Sequence, residues 1–298
     1  MSRKHLISVF IFLQFFAASL AGAQVMAGLM KSGESVSVSA SIKPLQLIAA
    51  AITADAVINE PGLIIGPAQD PHHPFLRPSE RTTLAEADIL LWVGPQLEEA
   101  LSESIETAPA RVINTYALIQ ENGMTVTGPA DPHVWLSTQN ARLIAEALTL
   151  ELAERDTVNR QLYENNRNNF FNLLDSLDAE INTALAGLQE IPFAVYHNAF
   201  RYYEQQYGLS HIASYTENEE LKPGIRKVLE VRELLADNNV NCLLLEPSNN
   251  PEEISQLTGR EMKLISIDIL GFDYAANKTG YRDFMSGITQ AIKTCLQP

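Results

Sequence analysis

The stretch TVNRQLYENNRNNFFNLLDSLDAEINTALAGL, residues 157–188, contains no proline and no glycine before Gly187. Within it Leu162, Phe170, Leu173, Leu174, Leu177, Ile181, Leu185 and Leu188 recur at three- and four-residue spacing, the period of a helix with one apolar face. Such a helix spans roughly 45 Å at about 1.5 Å per residue. That is longer than most globular helices, and it reads as a strut between two lobes. The alternative is a pair of shorter helices broken within residues 165–169. A strut at 157–188 divides the chain into an N-terminal lobe, residues 24–156, and a C-terminal lobe, residues 189–298.

The segments on either side alternate between strand and helix. Before the strut, strands read at residues 36–42, 63–66, 88–94 and 111–115, with helices at 44–53, 79–87 (Ser79 as its cap) and 96–105. After it, strands read at 193–197, 210–214, 240–246 and 263–268, with helices at 202–207, 222–238, 252–258 and 281–296. Ser137 is placed to cap the helical region that precedes the strut. Strands alternating with helices imply βα units and a mostly parallel sheet, and apolar runs such as Ile89-Leu90-Leu91-Trp92-Val93 suit a sheet buried on both faces. The expected fold is α/β: two lobes, each with a mostly parallel four-stranded sheet flanked by helices, joined by one long rigid helix. No sequence repeat relates the halves.

The N-terminus has the layout of a secretory signal. Arg3 and Lys4 precede an apolar run over residues 6–20, and Ala21-Gly22-Ala23 offers a small-residue cleavage site, so residues 1–23 are expected to be removed. The alternative, an uncleaved anchor, is opposed by the shortness of the run and by Gln14 within it. No cysteine follows the run to carry a lipid. The mature protein is expected to be soluble and exported. Loss of Arg3 and Lys4 takes the formal charge from −15 to −17, which argues against nucleic acid and anionic membranes as partners, since both select basic patches. Cys242 and Cys295 are the two cysteines. In an exported chain an even count invites a disulfide, worth roughly 4 kcal/mol in the chain-entropy treatment of such a loop. The alternative is two free buried thiols.

The tripeptide Asp-Pro-His occurs twice, at residues 70–72 and 131–133, in a chain with only six histidines. Proline fixes φ and holds the preceding Asp extended, so each histidine is presented from a rigid turn. Imidazole on a rigid loop is what a zinc or copper site uses. His197 ends the first strand after the strut, and ligands of open α/β sheets gather at the carboxyl ends of strands. His72, His133 and His197 are therefore candidate metal ligands, with a fourth position left for water or carboxylate. Asp268, at the end of the last strand, reads equally as that fourth ligand, as an acceptor behind a ligand, or as an Asp starting the turn before Gly271. His73 points elsewhere or serves as an alternative ligand. His211 reads as a satisfied strand histidine, the acidic stretch Glu217, Glu219 and Glu220 as a solvated face, and Trp92 and Trp135 as core. No His-Glu-x-x-His, Gly-x-Ser-x-Gly or phosphate loop occurs.

Taken in order, several segments resemble a known family. They are Pro71-His72, Leu76-Arg77-Pro78-Ser79, DILLWVGP at 88–95, His133-Val134-Trp135-Leu136-Ser137, Tyr196-His197-Asn198-Ala199-Phe200, Lys222-Pro223-Gly224 and Glu246-Pro247. Together they resemble the periplasmic zinc-binding proteins of ABC importers, the ZnuA type, over nearly the whole mature chain. The resemblance implies two α/β lobes joined by one rigid helix, with the metal between them and the three histidine ligands at His72, His133 and His197. Manganese and iron relatives typically carry Glu at the third position, so His197 favours zinc, in line with imidazole as the softer donor. The Cys242 and Cys295 pair resembles a disulfide of the zinc branch. Two departures stand out. The region 117–130 is short and lacks the His-rich acidic loop of many zinc members, and His73-Pro74 replaces the usual residues after the first ligand.

What the resemblance implies is a periplasmic receptor, not an enzyme. It would capture Zn²⁺ and deliver it to an inner-membrane ABC permease with a cytoplasmic ATPase, with no nucleic-acid partner and as a monomer. Because bound imidazoles must be deprotonated, affinity should fall below about pH 6.5. The competing readings are a manganese or iron receptor of the same family, a secreted zinc hydrolase using the open fourth position, and a metal-using adhesin or periplasmic metal buffer.

Overall fold

The computed structural model describes residues 36–56, 60–67, 69–217 and 222–297. The segment read as an export signal lies outside them. The first sheet contains β1 (Val38–Ala40), β2 (Gly62–Leu63), β3 (Ile89–Trp92) and β4 (Arg111–Asn114). The second contains β5 (Ala194–His197), β6 (Ala213–Thr216), β7 (Cys242–Leu245) and β8 (Lys263–Ser266). Each is four-stranded and parallel, ordered β2-β1-β3-β4 and β6-β5-β7-β8. Counted from its own first strand, each half has the same order. In both, the direction of winding reverses beside the first strand, and the carboxyl ends there form the crevice in which open α/β sheets hold ligands.

The helices are α1 (Lys43–Thr53), α2 (Pro78–Ala85), α3 (Thr115–Glu121), α4 (Thr138–Arg155), α5 (Arg160–Leu185), α6 (Arg201–Tyr207), α7 (Ile225–Asp237), α8 (Pro251–Thr258) and α9 (Gly280–Leu296). Strands β1, β3, β5 and β7 are buried at every position, which accounts for their unbroken apolar runs. In β5 and β7 successive side chains serve different cores. Val195 and Leu244 face the apolar cluster that runs through both halves of the molecule, while Ala194, Tyr196, Leu243 and Leu245 face a smaller one shared with Val231 and Leu235 of α7. This is the period of two that a pleated strand imposes.

The long helix runs unbroken through residues 165–169, over 26 residues, or roughly 39 Å. It begins at Arg160 because the Asp156 carboxylate takes the Asn159 N–H and amide and the Tyr163 hydroxyl. Tyr163, Phe170, Leu174, Leu177, Ile181 and Leu185 form its buried stripe. That stripe packs on α1 and α4 from the first half and on α9 from the second. Asn166 is no break point: its amide donates to Ile52 O (2.9 Å) and Ala54 O (2.7 Å), satisfying carbonyls at the end of α1.

Several boundaries differ from the sequence reading. β2 stops at Leu63, although the Ile64 and Ile65 N–H groups still reach Ala40 O and Ser41 O at 3.0 and 2.8 Å. Helix α2 is capped at Arg77, whose N–H the Glu80 carboxylate accepts, because Pro78 occupies the first helical position where a missing N–H costs nothing. Residues 96–105 form three short pieces, Pro95–Glu98, Glu99–Leu101 and Ser102–Glu106. Helix α3, capped by the Asn114 side chain, occupies a region without a sequence expectation. β6 begins at Ala213, so His211 precedes the strand instead of lying in it. Ser137 caps α4, accepting from Asn140 N. Cys242 of β7 and Cys295 of α9 form a disulfide. Among the described residues no helix is long and apolar enough to cross a membrane.

Candidate metal centre

His72 follows β2, His133 opens the 3₁₀ turn Val134–Leu136, and His197 is the last residue of β5. They come from segments more than 60 residues apart, yet one donor nitrogen from each lies within 4.8 Å of the others. Ring centroids are 5.8 Å apart for His72 and His133, 5.6 Å for His72 and His197, and 4.8 Å for His133 and His197. Three imidazoles at such spacing can share one ion, with zinc–nitrogen bonds of about 2.0–2.1 Å. The space they enclose is a cavity of about 10 Å³, near the volume one water occupies.

The two Asp-Pro-His segments fold alike at the backbone. Asp70 Oδ1 accepts the His72 N–H at 2.8 Å, and Asp131 Oδ1 accepts the His133 N–H at 3.0 Å. Each is a side-chain turn of the kind that Asp before Pro favours. They then diverge, because Asp131 Oδ1 also lies 2.7 Å from the His133 ring Nδ1. His197 has a matching arrangement, with Nδ1 2.7 Å from Glu246 Oε1 at the end of β7. A carboxylate on Nδ1 fixes the proton there and leaves the Nε2 lone pair for a metal. His133 and His197 are 2% and 3% exposed, so their orientations are also held by packing. The His133 ring lies edge-on to Trp135, whose indole donates to Ile269 O at 2.8 Å.

Burial, followed by the neighbouring His133, His197 and His73, pulls the His72 imidazole down to about 3. Burial also lowers His133, against the opposing pull of Asp131. Burial thus favours the neutral form a metal requires at both rings, and at His72 proton competition is displaced well below the pH 6.5 read from unperturbed imidazole.

Asp268 is not brought into the histidine trio. Its Oδ1 accepts from Leu270 N (3.0 Å) and Gly271 N (2.8 Å), and its Oδ2 from Phe272 N (2.9 Å). Both oxygens are turned into the chain's own loop, as the turn-starting alternative anticipates. Gly271 sits at φ +69°, where a side chain would meet Phe284 at 2.8 Å. Asp268 instead lines a larger cavity of about 470 Å³ beside the trio, together with Asp70 and Glu246. His73 is exposed and outside the trio. His211 pairs with the Glu204 carboxylate at 2.7 Å. The residues the sequence reading missed are the carboxylates behind the rings. Glu246 had a signal, a carboxylate ending a strand at the carboxyl edge of the sheet. The ring contact of Asp131 had none beyond its motif.

A family model described as "Zinc-uptake complex component A periplasmic", ZnuA, matches residues 38–295. The chain belongs to the ZnuA family. A high-affinity zinc uptake system protein ZnuA of Yersinia pestis is 29% identical over 294 residues, covering 88% of this chain and 92% of that one. The ZnuA of Brucella abortus is 25% identical, covering 98% and 99%. A crystal structure of a ZnuA deletion mutant with zinc bound superposes with a TM-score of 0.73 at 25% identity, covering 89% of this chain and all of that one. The ZnuA fold, with its paired four-stranded parallel sheets, is thus common to the chain and its relatives.

Proposed function

We propose that this protein is a periplasmic zinc receptor, exported by removal of residues 1–23. It would bind Zn²⁺ between residues 24–156 and 189–298 through His72, His133 and His197 and pass it to an inner-membrane ABC permease driven by a cytoplasmic ATPase. The observation that carries the reading is the convergence of three imidazole donors, two of them buried, on a space the size of one ion. Family membership and the zinc-uptake names of the relatives support it. An all-nitrogen donor set favours zinc over manganese or iron, which prefer carboxylate and water.

Capture follows from the chain's own groups. Burial disfavours the protonated form of His72 and His133. The carboxylates of Asp131 and Glu246 hold Nδ1–H and aim Nε2 inward. The ion replaces its water shell with donors already in place, so little ordering is left for the binding step. Calorimetric zinc titration of His133→Ala and His211→Ala tests the reading. The first should lose most of its zinc affinity and the second should keep it; equal losses would refute the assignment.

A further inference from the structure

Arg201 stands in the first turn of α6, four residues after His197. Its guanidinium reaches back to the segment that carries His133. Nε lies 3.3 Å from Asp131 Oδ2, Nη1 donates to Pro129 O (2.8 Å) and Thr127 O (3.3 Å), and Nη2 approaches Ala130 O at 3.5 Å. The Asp131 side chain is fully buried and that of Arg201 is 14% exposed. One carboxylate therefore meets a partner on each side, the His133 ring hydrogen-bonded at Oδ1 and the Arg201 guanidinium ion-paired at Oδ2 without closing a hydrogen bond there. Gly128 leaves room for this: at φ +104° its absent Cβ would lie 2.9 Å from Arg201 Nη1.

We propose that Arg201 is a positioning residue for zinc capture, joining the His133 and His197 segments through Asp131. The inference rests on the reading of His133 and His197 as zinc ligands. Without the guanidinium, Asp131 would be a buried charge with no cationic partner, and the side chain would move toward another one. Such a shift takes the acceptor from His133 Nδ1 and frees the ring to turn. Removing a group that orients a metal-ligating histidine typically costs about 10–100-fold in metal affinity. His72 has no comparable clamp: Asp70 accepts its backbone N–H, but among the described residues no ion pair joins Asp70 to a cation as Arg201 joins Asp131. Two donors are thus oriented by the protein's own groups, and Arg201 fixes them relative to each other.

The test uses the mature chain and zinc itself, with affinity measured by chelator competition, zinc release by stopped flow, and the ligand field by the visible spectrum of the Co²⁺ form. Arg201→Met should weaken zinc by about 10–100-fold, mainly through faster release, and alter the Co²⁺ spectrum. Gln205→Ala, which removes only a bond from α6 to Thr125 O, should leave both unchanged. Asp131→Asn should weaken zinc similarly, and Asp131→Asn/Arg201→Met should be no worse than Asp131→Asn, because the arginine acts through that carboxylate. The double variant carries no unpaired buried charge, so it serves if Arg201→Met alone does not fold. Unchanged affinity in Arg201→Met, or additive losses in the double variant, would overturn the inference while a defective His133→Ala still upheld the ligand reading. A His133→Ala protein that binds zinc normally would remove both.

Discussion

Glu98 is a carboxyl group with no exposure to solvent. It sits beyond the carboxyl ends of β1 and β3, where its Oε2 accepts the Gly94 N–H at 3.3 Å. The Ser41 hydroxyl and Trp92 indole lie close by, but neither closes a hydrogen bond of good geometry. Burial therefore dominates, and it pushes the group up from the usual carboxylate range to about 8. In the unfolded chain it titrates near 4.5. Below that pH both states hold the proton and the folded protein loses nothing. Between about 4.5 and 8 the folded state keeps a proton that the unfolded state has released, so stability falls as pH rises, and it levels off above 8. Each pH unit in that window is worth about 1.4 kcal/mol, so Glu98 makes the fold about 3 kcal/mol less stable at pH 7 than in mild acid. Glu98→Gln keeps the shape without the charge. Its stability relative to the parent should therefore grow by about 2–3 kcal/mol between pH 5 and pH 7. Urea unfolding of both metal-free proteins at pH 5, 6, 7 and 8 measures that difference, with other titrating groups cancelling between the pair. A difference that stays constant with pH would refute the account of this buried acid.

Two further outcomes follow from the same geometry. Cys242→Ser with Cys295→Ser opens a crosslink between residues 53 apart. It should lower stability by about 4 kcal/mol in the chain-entropy treatment, read as a lower denaturant midpoint, while zinc stoichiometry stays the same. Because α5 packs on α1 and α4 as well as α9, it should resist hinge bending. X-ray scattering of zinc-free and zinc-loaded protein should therefore give nearly equal radii of gyration, and a large contraction on loading would contradict a rigid strut.

Much of the architecture is visible in the sequence because burial leaves a periodic trace. The stripe from Phe170 to Leu185 and the runs Ile89–Trp92 and Cys242–Leu245 each carry the pattern of their own surroundings. Short elements carry less. Helix α3 has only seven residues, and its strongest signal is the Asn114 cap before it. The break-up of residues 95–106 into short turns has no marker beyond Pro95. At the site, the repeated Asp-Pro-His and the strand-end position of His197 expose the three histidines, since turn chemistry and strand polarity are local. Asp268 shows the limit of local reading. An aspartate before a glycine-bearing loop can face a metal or cap its own turn, and only the three N–H groups on its carboxylate decide between them. The contact of Arg201 with Asp131 joins residues 70 apart, and no local pattern encodes it.

The most direct trial of the account is an anomalous-scattering map at the zinc edge from a crystal of the mature protein grown with zinc. The account requires one dominant peak, within about 2.1 Å of a ring nitrogen from each of His72, His133 and His197. A peak held by other residues, or three imidazoles left without an ion between them at saturating zinc, would contradict it.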